Sequence, residues 1–332
     1  SKYADGTTDV LFDAYHRVSA AEVQGTGNTK IELDGQNVLD SSKCVFWAGL
    51  SKKGSGNLTI TDETSDKGET ITAKEETETS GSLRAEGGCY KSDSLSGGGA
   101  AIGGNYGQAT ENITIEGYAT VKANTKDNNG AGIGGGAGAK GSNITIQGHA
   151  NVTADGGKTG AGIGGGSTGI SCDGDAENII IQGYSKVTAT GCGGAAIGGG
   201  VGSGYACSKI TEAKNIVIRD HATVVAKNTG GGAAIGAASV GNGEVTIGTD
   251  GATAEKEDVH VTATGHWGAA IGNGGKDTKV TIQGHATIRT ASTVNFVAIG
   301  SENGNVEVTI KDNVSIDNED TVTHPTHPLW VS

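Results

Sequence analysis

Short runs in which apolar and polar residues alternate recur along most of this chain, and they come in threes. In one unit they are NITIQG (143–148), HANVTA (149–154) and GAGIGGG (160–166). Alternation with period two puts successive side chains on opposite faces of an extended strand. Aligning the units on the large residue of the glycine-rich run gives Ile102, Ile133, Ile163, Ile197, Ile235, Ile271 and Ile299. Their intervals are 31, 30, 34, 38, 36 and 28 residues. Repeats of this length without a helical period predict an all-β fold. The fold class is a single-stranded parallel β-helix, a solenoid with three short strands per turn of about 28–38 residues.

Alternation also assigns faces. The first strand of each unit points Ile113/Ile115, Ile144/Ile146, Ile179/Ile181, Ile216/Ile218, Val245/Ile247, Val280/Ile282 and Val308/Ile310 inward. The second adds Val121, Val152, Val187, Val224, Val261 and Ile288, and the third adds the Ile column. Each such burial contributes roughly 1.5–3 kcal/mol, so the core needs no helices. The pattern is less regular over 28–90, as a terminal repeat should be. The expected organisation is an N-terminal cap (1–27), the β-helix (28–316) and a C-terminal tail or linker (317–332).

The same alternation points Ala101, Gly132, Gly162, Ala196, Ala234 and Ala270 outward on the third strand, followed by a glycine in every unit. Glycine in a strand costs roughly 0.5–1 kcal/mol relative to alanine, so something must compel it. Either the chain turns there with positive φ, or another backbone lies close against a strip without side chains. The second reading makes the strip a candidate surface for a homodimer. Just after the first strand, Tyr118, His149, Tyr184, His221 and His285 share one position in five units. Stacked at strand spacing they form either an internal ring ladder or a ligand-binding platform whose ring faces meet sugars. No carboxylate is in register with the histidines, so no metal is expected there. Threonines at outward positions are interrupted by Lys122, Lys186 and Arg289, which breaks any regular hydroxyl lattice.

Composition narrows the function. With 60 glycines but only two prolines, and no three-residue period, the chain is not collagenous. A net charge of −13 without a visible basic stripe argues against nucleic acid. No apolar run is long enough to span a membrane. The five cysteines match no compact zinc spacing. Cys172 and Cys207 fall in equivalent insertions of consecutive units, where stacking would bring them within disulfide range. Cys44 with Cys89 is a weaker pairing, leaving Cys192 over. A bridge favours a secreted or cell-surface home. The richest acidic cluster is SCDGDAEN (171–178), with Asp173, Asp175 and Glu177, near Tyr205 and Glu212 of the next insertion. Paired acids of this kind are what glycoside cleavage uses. The DGD triplet has only part of a calcium-loop pattern, and no cofactor is expected.

The strings ITI, VTA and GA(G/A)IGGG together resemble the glycine-rich repeats of large secreted or wall-attached proteins of Gram-positive gut bacteria, loosely described as carbohydrate-binding. The resemblance covers about 28–316 and departs from that pattern where its GG turn becomes GY or GH. It implies a parallel β-helix surface module and carries over no catalytic residue. The expected function is therefore a non-enzymatic extracellular module that binds a glycan or host polysaccharide, or acts as an adhesive. The alternative is a polysaccharide hydrolase or lyase using the acidic insertions near 171–212.

Overall fold

The computed structural model describes residues 18–63, 81–91, 96–125, 127–167, 173–201, 211–238, 241–273, 275–293, 297–301 and 303–319. Within them the chain winds as a parallel β-helix with no helical segment. Three parallel sheets of nine strands each form its sides. Side I holds the first strands of the units, such as Thr110–Gly117 and Gly141–Ile146; side II holds the second, such as Thr120–Asn124 and Asn151–Asp155; side III holds the two-residue Ile–Gly strands. Consecutive units lie in register, with Ile113 opposite Ile144, Val121 opposite Val152, and Ile133 opposite Ile163. A short antiparallel pair, Cys89–Lys91 with Ser96–Gly98, stands outside the coil.

The predicted inward columns are the core. Ile113, Ile144, Ile179 and Ile216 are fully buried, as are Val121, Val152 and Val224 and the motif isoleucines from Ile102 to Ile271. The last coil differs: Ile310, expected inside, is 42 % exposed because no further described strand covers it. The coil also starts earlier than the sequence pattern suggested. Ala21–Val23, inside the stretch expected to be a cap, is the first strand of side III and pairs with Leu50–Lys52. At the other end Ser315–Asn318 is still a strand of side II.

The glycine column after each motif Ile has one cause. Gly103, Gly134, Gly164, Gly198, Gly236, Gly272 and Gly300 all have φ between +125° and +138°. Most L-residues pay heavily there. A Cβ on Gly134 would also lie 2.0 Å from the carbonyl oxygen of Gly164 in the next coil. The motif is a tight turn rather than an extended strand: the Ala131 amide donates to the Gly135 carbonyl at 2.9 Å, and Ala161 and Ala195 repeat this with Gly165 and Gly199.

Candidate functional site

That turn overturns the outward assignment of the small-residue strip. Ala101, Ala196, Ala234 and Ala270 are fully buried and belong to the same core as the isoleucines. Gly132 and Gly162 are buried with them. Strict alternation fails because the chain doubles back at the corner between sides II and III. A Cβ on Gly162 would sit 2.6 Å from the Ala196 carbonyl and 3.0 Å from that of Ala154. The close approach is real, but the approaching backbone is the chain's own. The strip therefore offers no surface to a second copy.

The ring column is built at the turn from side I to side II. Each ring follows a residue with positive φ: Gly117 (65°), Gly148 (67°), Gly183 (69°) and Asp220 (66°). That sharp turn throws the next side chain outward, and in-register stacking does the rest. Tyr118 and His149 lie 4.7 Å apart at 4°, His149 and Tyr184 5.1 Å at 6°, and Tyr184 and His221 4.5 Å at 5°. The ladder is external rather than internal: Tyr184 is 54 % exposed and its neighbours are half-buried. Parallel stacking closes both faces of His149 and Tyr184, so no sugar ring can lie on them. Only the edges, with the phenolic hydroxyl and the imidazole nitrogens, reach solvent.

His285 does not join this stack. The segment from Gly248 to Asp258 intervenes and inserts the buried Glu257 at the turn. The Glu257 carboxylate accepts the amides of Asp220 (3.3 Å), Thr249 (3.0 Å) and His285 (3.2 Å). The His285 imidazole instead faces Asp258, 3.9 Å from its carboxylate, which also lies 3.2 Å from His260.

Two further ladders were not foreseen. Asn112, Asn143, Asn178 and Asn215 adopt φ of 51–60°, a region asparagine tolerates better than most residues. Each of the last three donates its side-chain amide to the preceding one, at 2.9, 2.9 and 2.8 Å. Beside the rings, Gln147 donates to Glu116 (2.6 Å), Gln182 to Gln147 (2.8 Å) and Arg219 to Gln182 (2.6 Å). The signal was in the sequence, as an Asn before each Ile-x-Ile, Ile-x-Ile or Ile-Val-Ile run, at one offset in four units.

The acidic cluster is tied down. Asp175 accepts the Glu212 amide at 2.9 Å. Glu177 pairs with Lys140, and this hydrogen bond holds its carboxyl below the usual range. Glu212 pairs with Lys214 at 2.5 Å. Asp173 is exposed at the entry to the strand. A general acid needs a raised pKa, and Glu177 moves the other way. Glu212 and Lys214 do line an open groove of about 400 Å³ along side I, with Glu244, Asp277, Lys279 and Glu307. It opens where the asparagine ladder ends at Asn215 and a bulge shifts the register between Ala213 and Ile216.

Among the described residues no group of three or more His, Cys, Asp or Glu is arranged to hold a metal ion. No described helix is long and apolar enough to cross a membrane. Cys172, Cys207 and Tyr205 lie outside the described residues. No disulfide joins Cys44 to Cys89, and burial pushes the Cys44 thiol up.

Residues 113–137, 144–167 and 179–201 match a family model described as a beta helix repeat. No curated protein and no solved structure matches the chain. The three nine-stranded parallel sheets make the fold a parallel β-helix, and the matched repeat segments support it.

Proposed function

We propose that this chain is a non-enzymatic, secreted or cell-surface module that binds a glycan along its outer rows. The observation that carries this reading is the outward column of Tyr118, His149, Tyr184 and His221, flanked by the Gln147–Gln182–Arg219 ladder. Hydroxyl, imidazole and amide groups repeat there at coil spacing, which suits the hydroxyls of an extended sugar chain. At His149 and Tyr184 contact is by hydrogen bonds to ring edges, since both of their faces are occupied by other rings. Of the acids that would serve hydrolysis, Asp175, Glu177 and Glu212 are engaged with lysines or backbone, which favours binding over cleavage.

A glycan array tests this reading. Wild type should bind a subset of polysaccharides, and Tyr184→Phe, which removes one hydroxyl and keeps the stack, should weaken that binding severalfold. A flat response to every polysaccharide would remove the glycan reading and leave a rigid spacer. Release of reducing ends or unsaturated products, abolished by Glu212→Gln, would replace it with the enzymatic one.

A further inference from the structure

Side II gathers cations that the sequence shows only as breaks among outward threonines. Its outward rows run Thr120, Asn151, Lys186, Thr223, His260, Thr287; then Lys122, Thr153, Thr188, Val225, Thr262, Arg289; then Asn124, Asp155, Thr190, Lys227, Thr264, Ala291. Across these six coils four positions are cationic and Asp155 alone is acidic, on a chain whose net charge is −13. The Asp155 carboxylate already accepts the Gly157 amide at 3.1 Å. Lys122, Lys186, Lys227 and Arg289 are all exposed, and none closes an ion pair among the described residues. Asp317 occupies the row beyond Arg289 without reaching it. Side I is the contrast: its lysines answer their own acids, Lys140 with Glu177, Lys214 with Glu212 and Lys279 with Glu307.

We propose that the outward face of side II docks an acidic polysaccharide, a linear sugar chain bearing carboxylate or sulfate. This rests on the glycan reading above and names the class of ligand. Four unanswered cations lie along five coil steps, a run of about 24 Å at strand spacing. Because they also differ in row, neighbouring charges lie roughly 12–14 Å apart. That distance is comparable with the Debye length only at low salt, where they act on one polymer together. Rows of threonine hydroxyls between them offer donors and acceptors to sugar hydroxyls, and the ring edges border the same face. A nucleic acid fits less well. Sequence-tolerant binding of single strands relies on bases stacked on open aromatic faces. The outward rows of side II hold no Phe, Tyr or Trp, only the imidazole of His260 beside Asp258, and in the bordering stack both faces of His149 and Tyr184 are covered by other rings.

The test measures binding of the whole chain to polygalacturonate and dextran sulfate, with neutral dextran and a single-stranded DNA alongside. The reading predicts binding to at least one acidic polymer that weakens about tenfold or more as salt rises from 50 to 500 mM. A Lys122→Gln, Lys186→Gln, Lys227→Gln, Arg289→Gln variant should lose that binding at least tenfold. All four side chains are exposed, and an unchanged circular dichroism spectrum verifies its fold. Equal binding by the variant, tighter binding to DNA than to either acidic polymer, or binding of neutral glycans only would overturn the proposal. The last outcome would leave the glycan reading standing; no binding to any polysaccharide would end both.

Discussion

Between 110 and 228 the coils carry three unbroken rows on the outside: the asparagine ladder, the Glu116–Gln147–Gln182–Arg219 ladder and the ring stack. From 242 onward the rows stop. The strand Asn242–Ile247 has one residue fewer than its neighbour at the bulge, Gln283 donates to the Gly248 carbonyl instead of to a side chain, and a buried Glu257 occupies the turn. Yet Val245, Ile247, Val280 and Ile282 are as buried as Ile144 and Ile179. The core columns are indifferent to what edges the coil. They specify the winding, while the outer rows are free to vary and so are where the proposed recognition would be placed.

Changes at the shared core should therefore be severe in both regions. Ala196→Arg and Ala270→Arg each force a long cation into a corner with no room, and each should cost more than about 3 kcal/mol, enough to abolish folding. Urea unfolding and solubility would register this. A folded Ala196→Arg protein would mean that the corner is open after all.

Edge changes should be smaller and regional. Glu257→Ala leaves the amides of Asp220, Thr249 and His285 without their acceptor, and should cost about 2–3 kcal/mol in urea unfolding. Asn178→Ala loses two ladder hydrogen bonds and places alanine at φ 54°, for about 2 kcal/mol. Asn178→Gly keeps the backbone at ease and should cost about 1 kcal/mol less than the alanine variant. If the two substitutions cost the same, the positive φ is not what selects asparagine.

The weakest effect concerns pH. Backbone amides of Gly284 and Gly251 hold the Asp312 carboxyl below its ordinary value of 3.8. Its contribution is present above that unfolded value and is lost as pH falls through the lower folded one. Asp312→Asn should accordingly lower stability slightly at pH 7, and the difference from wild type should vanish as pH falls below about 4, flattening the acid limb.

Much of this was legible beforehand because period-two alternation and a fixed repeat length determine a parallel β-helix almost by themselves. Ile113, Val152 and Ile197 were placed correctly from spacing alone. The Ala/Gly strip was misplaced because alternation holds only while the backbone stays extended, and the Ala131–Gly135 turn breaks it. Ring stacking could be anticipated from Tyr118, His149, Tyr184 and His221 at one offset, but not that their faces close on each other. Lys122, Lys186 and Arg289 were legible only as breaks in the outward threonines, and that they join Lys227 without ion-pair partners among the described residues needed the structure. Lys122 and Arg289 are 167 residues apart, and only the stacking of five further coils sets them in one row.

That row is the most direct object to measure. Spin labels at Lys122→Cys and Arg289→Cys, with the native cysteines changed to serine, report the distance across five coil steps. In-register winding predicts a narrow distribution centred at roughly 20–35 Å, allowing for the label arms. A broad distribution, or a maximum beyond about 45 Å, would contradict the stacked rows on which the core, the ring column and the cationic strip all depend.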